Sequence, residues 1–244
     1  MKTGFRVFLA TFIALGASWC GFVLAPVLQL GTEKQTTVLN STDIYPNQRP
    51  GDATLGLQVY RAAGCAQCHT EQIQQSGFVC NVVLTGAGKN PAAVSNLIST
   101  LKLSGLTKDE ANAVSGKITA VGGKVETHLL ATGADISRGW GLRRSVAEDF
   151  LWDNPVQLGN VRVGPDLANV GARLPDANWQ LLHLYAPQSV VKNSAMPPFR
   201  FLFETRKING APSPDALNLP KELAPPAGYE IVPTDDAKNL VAYL

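Results

Sequence analysis

The stretch GCAQCHT, residues 64–70, decides how this sequence is interpreted. It holds two cysteines two residues apart and a histidine directly after the second. Three kinds of chemistry use such a pair: zinc binding, thiol–disulfide exchange and covalent attachment of haem c. The choice among them depends on which further ligands the chain offers and on the side of a membrane where the stretch lies.

An uncharged run precedes this stretch. Residues 7–30, VFLATFIALGASWCGFVLAPVLQL, contain no charged side chain, and about 20 apolar residues are enough to cross the core of a bilayer. Lys2 and Arg6 lie before the run, so the N-terminus is expected in the cytoplasm and the following chain in the periplasm of a bacterial cell. A cleaved signal peptide is the alternative, but cleavage after Ala25 would place Pro26 directly downstream. The sequence predicts a single-pass anchor that contacts lipid in the inner membrane.

The composition favours a folded domain outside the membrane. The chain is 45% hydrophobic and 16% charged, and its formal net charge of +2 is accounted for by Lys2 and Arg6. Residues 31–244 are therefore neutral overall and show no basic footprint for nucleic acid. Four cysteines, one of them inside the anchor, do not make a disulfide framework. We expect no nucleic-acid partner.

Zinc binding and dithiol exchange explain the stretch poorly. Structural zinc needs four ligands, usually from two spaced Cys or His pairs. The donors that remain beyond the stretch form no second pair; they are Cys80, His128 and His183. Thioredoxin-type motifs open a helix after a strand, whereas here a helix is predicted before the motif. The spacing instead indicates one covalent haem c, with thioethers to Cys65 and Cys68 and with His69 as an axial ligand of the iron.

The second axial ligand can be narrowed by elimination. Met1 is the initiator, so Met196 in NSAMPPF is the other methionine, and the two prolines after it favour a rigid loop. His183 is the rival, with His128 behind it. We expect His183 to be a buried histidine that packs beside the haem. A thioether ligand raises the reduction potential relative to a second imidazole.

The ring of His69 also needs a hydrogen-bond acceptor for its other nitrogen. VGPDLANVG, residues 163–171, offers the carbonyl of Pro165. On the helix expected before the motif, Gly56 and Tyr60 share a face. A glycine in that position favours close approach of another backbone.

Local patterns predict the remaining elements. They are a helix from a cap at Asp52 to about Ala63, a strand over 78–84, a helix over 90–101, a helix from a capping box at Thr107 and Glu110 to Gly122, a strand over 124–131, a helix over 177–186 capped by Asp176, a region over 208–233 that is mostly loop, and a final helix capped by Thr234.

Several motifs in this order resemble a class I cytochrome c. They are Gly56 and Tyr60 before CAQCH, then GPDLANVG, SAMPPF and a last helix with Leu240 and Tyr243. In that fold the first and last helices cross at such glycine and aromatic positions. The anchor and the stretches GLQVYRAAGCAQCHTEQI, SVAEDFLWDNPVQLG, RVGPDLANVGARLPDANWQLLHLYAPQSVV and SAMPPF further resemble subunit II of the cbb3-type cytochrome c oxidases, their membrane-anchored mono-haem subunit.

This resemblance implies a haem site and a function. The residues it assigns to the site are the thioether anchors Cys65 and Cys68, the axial ligands His69 and Met196, the His69 partner Pro165, and Arg162, Arg173 and Trp179 near the haem. It implies a non-catalytic relay of electrons from a donor cytochrome c to the catalytic haem–copper subunit, beside other cytochrome subunits. A haem-based redox or gas sensor and the small cytochrome subunit of a nitric oxide reductase are the alternatives.

The predicted architecture is mainly α, with an anchor, a class I cytochrome c domain and a small α/β insertion. The anchor covers 1–31, the linker 32–51 and the cytochrome domain 52–244, which a β-α-α-β insertion over 78–132 interrupts. The insertion departs from the family pattern, and its sequence weakly resembles the C-terminal domain of the ribosomal stalk protein. We expect it to contact another subunit and to take no part in haem attachment.

Overall fold

The computed structural model describes residues 2–37 and 42–244. Residues 38–41 of the predicted linker, and Met1, lie outside the described residues. The chain divides into two compact units. The first is built from the N-terminal residues up to Gln48 together with Val146–Asn154, and the second from Arg49–Ser145 together with Pro155–Leu244.

A long apolar helix dominates the first unit. Its parts follow one another without a break: α1 (Lys2–Trp19), a π-helical turn (Cys20–Leu24) and α2 (Ala25–Leu30). Within it, the 27 residues Thr3–Gln29 are long and apolar enough to cross a membrane, and none of them is buried. An exposed apolar helix of this length suits lipid better than water, which supports a single-pass membrane anchor.

The rest of the first unit is small. β1 (Thr36–Thr37) and β2 (Ile44–Tyr45) form a two-stranded antiparallel sheet. A separate 3-10 turn covers Ala147–Phe150. The indole Nε1–H of Trp152 donates to the Pro46 carbonyl at 3.1 Å, which fixes this segment on the strand pair.

The second unit contains more helix than strand, with two small sheets. Its elements in chain order are α3 (Gly51–Ala62), a 3-10 turn (Cys65–Gln67), β3 (Gly77–Gly86), α4 (Pro91–Ile98), α5 (Lys108–Ala120), β4 (Lys124–Thr132), α6 (Ala134–Ser137), α7 (Val170–Arg173), α8 (Ala177–Tyr185), α9 (Pro187–Val190), a 3-10 turn (Arg200–Leu202), β5 (Phe203–Lys207), a 3-10 turn (Lys221–Leu223), β6 (Tyr229–Pro233) and α10 (Asp235–Tyr243).

The crossing of α3 and α10 organises the larger core. A β-carbon on Gly56 would lie 1.9 Å from the Asn239 carbonyl oxygen, so only glycine permits this approach. The rings of Tyr60 and Tyr243 pack with their centroids 5.2 Å apart. The close approach predicted at Gly56 is therefore present, and it joins the first and last helices of this unit.

The cap predicted for α3 is wrong. The helix begins at Gly51 after Pro50, and no side chain caps it. Asp52 lies in the first turn instead, where its negative charge favours the positive end of the helix dipole.

Residues 77–132 have a core of their own. β3 and β4 pair antiparallel with Gly77 opposite Thr132, and Cys80 forms a further bridge to Leu106. The residues buried between this sheet and the two helices are Cys80, Val82, Val94, Leu106, Ala111 and Ile118. The capping box of Thr107 and Glu110 is present, while α4 ends at Ile98, earlier than predicted.

The C-terminal region contains a hairpin that the sequence did not predict. β5 and β6 pair antiparallel, with Phe203 opposite Pro233. Residues 208–233 are mostly loop, as predicted, and their last five residues form β6. Thr234 caps α10 directly after this strand, as expected from the sequence.

Candidate functional site

The two cysteines lie in a tight turn directly after α3. Gly64, in the left-handed conformation with φ of 73°, leads into the 3-10 turn of Cys65–Gln67. The N–H groups of Cys68 and His69 both donate to the Cys65 carbonyl, at 3.1 and 3.0 Å. Both thiols are free, with Cys65 half-buried and Cys68 exposed. The turn therefore presents two thiols and one imidazole within residues 65–69.

The Cys65 thiol is poorly suited to dithiol exchange, and the surrounding ligands are too few for zinc. Burial raises the pKa of the Cys65 thiol to about 11; a backbone hydrogen bond opposes this effect, and the charges of Glu71 and Cys68 add to it. A thiol that stays protonated at neutral pH is a poor attacking group in exchange. Over residues 2–37 and 42–244, no three His, Cys, Asp or Glu side chains cluster as metal ligands do. The donor set fits thioether attachment to haem better.

The ring of His69 is held by the loop that follows residue 162. Its Nδ1–H donates to the Pro165 carbonyl at 2.7 Å, since a carbonyl can only accept. The N–H groups of Val163 and Gly164 both donate to the Cys68 carbonyl at 2.9 Å. These bonds dock the loop on the cysteine turn and leave Nε2 of His69 with the lone pair that a metal ligand needs.

Gly164 is required by this arrangement. A β-carbon at that position would lie 2.3 Å from Cε1 and 2.8 Å from Nδ1 of the His69 ring. Any other residue would push the ring away from the Pro165 carbonyl. The glycine in the GPDL stretch is thus explained by the space that the imidazole occupies.

Arg162 lies at the centre of a buried polar network next to this loop. Its Nε donates to Thr70 Oγ1 at 2.7 Å and its Nη2 to the Gln72 carbonyl at 2.5 Å. Its Nη1 donates to Asp135 Oδ1 at 2.9 Å, and Nη2 lies 3.0 Å from Asp166 Oδ2. The two carboxylates are 2% and 0% exposed. The resemblance placed Arg162 near the haem. In the structure its guanidinium is hydrogen-bonded to protein groups.

Charge pairing favours the ionised forms of Asp135 and Arg162. Burial by itself would raise the pKa of Asp135, but hydrogen bonds from Arg162 and the Gln74 N–H, with the charges of Arg162 and Arg138, lower it. Burial would likewise lower the pKa of Arg162, and its bonds and charges with Asp135 and Asp166 raise it. Both ions gain from the partner, as expected for buried charges that remain paired.

Arg173 has a donor that is not satisfied by the protein. Its Nη2 donates to the carbonyls of Asp166 and Ala168, at 2.5 and 3.1 Å. Its buried Nε has no hydrogen-bond partner among the described residues. Burial lowers the pKa of Arg173, and the charge of Asp166 opposes this effect. Buried donors in proteins are normally paired, so an acceptor from a bound group would satisfy this atom.

The two candidates for the second axial ligand lie on neighbouring segments. Met196 is half-buried in the irregular chain after α9, where its N–H donates to Ser194 Oγ at 3.3 Å, and it packs against the same core as Cys65. His183 lies on α8 and stacks on Trp179, with centroids 4.9 Å apart and planes 5° apart. Burial lowers the pKa of His183, and the charge of His69 adds to this effect.

His128 does not join this group. It lies on β4 opposite Asn81, and its Nε2 is 3.5 Å from Glu126 Oε2 on the same strand. It belongs to the 77–132 region and is a weak candidate for an iron ligand.

The sequence did not reveal four residues that hold the site. Thr70, Asp135 and Asp166 serve Arg162, and Glu71 accepts from the Tyr243 hydroxyl of α10. Each is buried. In the sequence these four residues stand out only as polar residues in stretches without helical or strand periodicity. That pattern does not show which side chain each of them bonds.

The comparisons with known proteins bear on the same region. Residues 135–237 match the family model described as "Cytochrome C oxidase, mono-heme subunit/FixO". The match covers less than half of the chain and includes Pro165 and Met196, while the cysteine turn lies outside it. No curated protein matches the chain. The family match supports the resemblance to subunit II of the cbb3-type oxidases and implies one haem.

Proposed function

We propose that this chain, whose residues 135–237 match the mono-heme subunits of cytochrome c oxidase, is an electron-transfer subunit of a cbb3-type oxidase with a class I cytochrome c fold. It would accept electrons from a donor cytochrome c and pass them to the catalytic haem–copper subunit, beside the other cytochrome subunits. The observation that carries this proposal is the 2.7 Å hydrogen bond from His69 Nδ1 to the Pro165 carbonyl. His69 follows directly after two cysteines whose thiols are free.

The residues present fit one covalent haem c. Cys65 and Cys68 would supply the thioether sulfurs, and His69 Nε2 and Met196 Sδ the axial ligands. When bound, the haem supplies the one-electron chemistry, and the protein sets its potential, exposure and position. The bond to Pro165 keeps His69 in the tautomer whose Nε2 is free and fixes the plane of the ring.

Met196 is preferred to His183 because of the surroundings of each side chain. Met196 belongs to a chain segment stiffened by Pro197 and Pro198, and it packs on the core that also borders Cys65. The ring of His183 already stacks face to face on Trp179. We assign Trp179 and His183 to the wall of the haem pocket.

Arg173 would hold the charged edge of the haem. Its buried Nε has no acceptor in the part of the chain that the structure describes, and a propionate carboxylate is the acceptor that a haem offers. Arg162 cannot serve in the same way, because Asp135, Asp166, Thr70 and Gln72 occupy its guanidinium.

The crossing of α3 and α10 supports the fold assignment. Gly56 meets the Asn239 backbone and Tyr60 meets Tyr243, as the resemblance to class I cytochromes c implies for their first and last helices. The cysteine turn follows the first of these helices directly. We propose the cytochrome c domain over 52–244, with the linker over 32–51 before it.

The apolar helix of Thr3–Gln29 would anchor this domain to the inner membrane. Arg6 near its start favours a cytoplasmic N-terminus and a periplasmic haem domain. Anchoring confines the search for a partner to the plane of the membrane. Residues 31–244 are neutral overall, so net charge would steer this encounter only weakly.

The first test is whether haem is covalent. The full chain is produced in cells with the periplasmic c-type haem attachment machinery, and the protein is extracted with acid acetone. Haem should stay with the protein in the wild type and be lost in the double variant Cys65→Ala, Cys68→Ala. The single variant Cys80→Ala, in the separate 77–132 core, should keep it. Haem that leaves the wild type with the solvent would refute the proposal.

The second test identifies the proteins that copurify with the chain. The tagged full chain should copurify from its native membranes with a multi-spanning haem–copper protein that reduces oxygen. A version in which a cleavable export signal replaces residues 1–31 should keep its haem spectrum and lose that partner. Copurification with a nitric-oxide-reducing complex, or isolation without any redox partner, would contradict the oxidase assignment.

A further inference from the structure

Arg162 joins three segments of chain that are far apart in sequence. Thr70 and Gln72 belong to the segment after the cysteine turn, Asp166 to the GPDL loop and Asp135 to the helix that follows β4. The guanidinium bonds to all three segments at 2.5–3.0 Å. Its side chain is 23% exposed, whereas the carboxylates it bonds are nearly inaccessible. A half-buried guanidinium that makes four bonds, two of them to buried carboxylates, rigidifies the groups around it.

The same network reaches the atom that binds His69. Asp166 directly follows Pro165, and its Oδ2 also accepts from Thr70 Oγ1 at 2.5 Å and from the Gln72 N–H at 3.0 Å. The Leu167 N–H donates to the Thr70 carbonyl at 2.7 Å. The Pro165 carbonyl is therefore held between bonded neighbours, and its position relative to His69 depends on them.

We propose that Arg162 is a positioning residue which, fixed by Asp135 and Asp166, holds the Pro165 carbonyl on His69 Nδ1 and thereby lowers the reduction potential of the haem. The inference rests on the proposed function, in which His69 ligates a haem c iron. It assigns Arg162 to the support of the proximal histidine rather than to contact with the haem.

The sign of the effect separates positioning from charge. Donation from Nδ1 to a carbonyl makes the imidazole a more basic ligand, which favours ferric iron and lowers the potential. Loosening that bond raises the potential. Removal of a nearby positive charge acts in the opposite direction, because it favours the more positively charged ferric state. A variant that removes the Arg162 charge and yet raises the potential would act through position.

The main experiment measures the midpoint potential of the purified haem-loaded full chain. Arg162→Gln should raise it, although a positive charge is lost, and Arg162→Lys should also raise it, because an ammonium group cannot reproduce the four bonds. Arg138→Gln is the matched control. Arg138 lies 3.6 Å from the same Asp135 but is 57% exposed, and its loss should leave the potential unchanged or slightly lower.

A second readout reports the His69 bond itself. In the ferrous protein, solvent exchange of the His69 Nδ1 proton, followed by NMR, should become about tenfold faster in Arg162→Gln, the factor expected for the loss of one hydrogen bond. Arg138→Gln should exchange at the wild-type rate. A potential that falls in Arg162→Gln, or an unchanged exchange rate, overturns the proposal.

If the Arg162 variants do not fold, a pair of variants without any charge change tests the positioning role instead. Thr70→Val removes the hydroxyl that bonds both Arg162 and Asp166, whereas Thr70→Ser retains it. Thr70→Val should raise the potential and speed the exchange, and Thr70→Ser should match the wild type. Equal behaviour of the two variants overturns the positioning role. Failure of the proposed function would appear separately, as a wild type without covalent haem.

Discussion

The hydroxyl of Tyr243 donates to the carboxylate of Glu71, with oxygen–oxygen distances of 2.9 Å to Oε2 and 3.0 Å to Oε1. Glu71 lies two residues after His69, and Tyr243 lies at the end of α10. Both residues are buried. The bond therefore ties the last helix to the chain that supports the proposed proximal ligand.

We expect Tyr243→Phe to lower the free energy of unfolding by about 1–3 kcal/mol, because the buried carboxylate loses a donor. Denaturant unfolding of the haem-loaded protein at neutral pH measures this loss. Tyr229→Phe is the control, since the Tyr229 side chain is 44% exposed and its loss should be close to zero. Equal unfolding free energies for both variants would show that the Glu71 bond contributes nothing.

A second prediction concerns the crossing of α3 and α10. Gly56→Ala should destabilise the protein by about 3 kcal/mol or more, because the new methyl group would overlap the Asn239 carbonyl and the helices must separate. Gly116→Ala on α5, where nothing lies within 4 Å, should stabilise the protein by up to about 1 kcal/mol. Thermal and denaturant unfolding compare them. A tolerated Gly56→Ala would contradict the close crossing.

A third prediction concerns the second axial ligand. The ferric protein should show a sulfur-to-iron charge-transfer band in the far red, which Met196→Ala should abolish and His183→Ala should preserve. Met196→His should lower the midpoint potential, because an imidazole favours ferric iron more than a thioether does. Absorption spectra and a redox titration measure both effects. A band that survives in Met196→Ala, or bis-histidine spectra of the wild type, would transfer the role to His183.

Local spacing made much of the cysteine turn and its surroundings accessible from the sequence. The turn over 65–69 and the pairing of His69 with Pro165 follow from short motifs with a chemical rationale, and the caps of α5, α8 and α10 follow from side chains next to each helix start. These features are predictable because each depends on a few residues that either lie close together in the chain or belong to a distinctive motif. The ligand roles toward the haem stay predictions.

The rest depends on contacts between distant residues of ordinary type. Arg162 bonds to Asp135, 27 positions away, and to Thr70, 92 positions away. Helical or strand periodicity in the sequence cannot indicate partners at such separations. The sequence did not predict β6, because this strand is formed by pairing with β5, and a proline-rich loop separates the two strands in the chain. Asp52 was expected to cap α3 because the residue type favours caps, but Pro50 and Gly51 let the helix begin earlier.

A fourth prediction concerns acid stability. The folded pKa of Asp135 is lowered by Arg162 and the Gln74 N–H against the effect of burial, while an unfolded aspartate titrates near about 3.9. A depressed carboxylate contributes stability that is present above the unfolded pKa and is lost as the pH falls through the folded pKa. Asp135→Asn should therefore flatten the fall in unfolding free energy below about pH 4.

The control for this effect is Asp109→Asn, which removes an exposed carboxylate on α5. Its acid profile should run parallel to that of the wild type. Unfolding free energies are measured between neutral pH and the acid limit of the folded state. An Asp135→Asn profile as steep as the wild-type profile would show that the pairing with Arg162 does not stabilise the fold.

The last prediction concerns residues 78–132, which we propose to be a peripheral module that contacts another subunit. The module has its own buried core, and Gly77 lies opposite Thr132 at its base. A short Gly/Ser linker can therefore replace it without separating the flanking chain. A core this small is marginal alone and gains from a partner surface. The replacement should leave the haem spectrum and midpoint potential nearly unchanged and weaken assembly with the oxidase.

A longer replacement, over 78–137, is the matched comparison because it also removes Asp135 from Arg162. It should raise the midpoint potential, as the positioning role of Arg162 requires, while the shorter replacement should not. Redox titration and copurification with the catalytic subunit measure the two properties on the same preparations. If the shorter replacement already shifts the potential or loses haem, the module belongs to the haem pocket, and its separate core serves the cofactor rather than a partner.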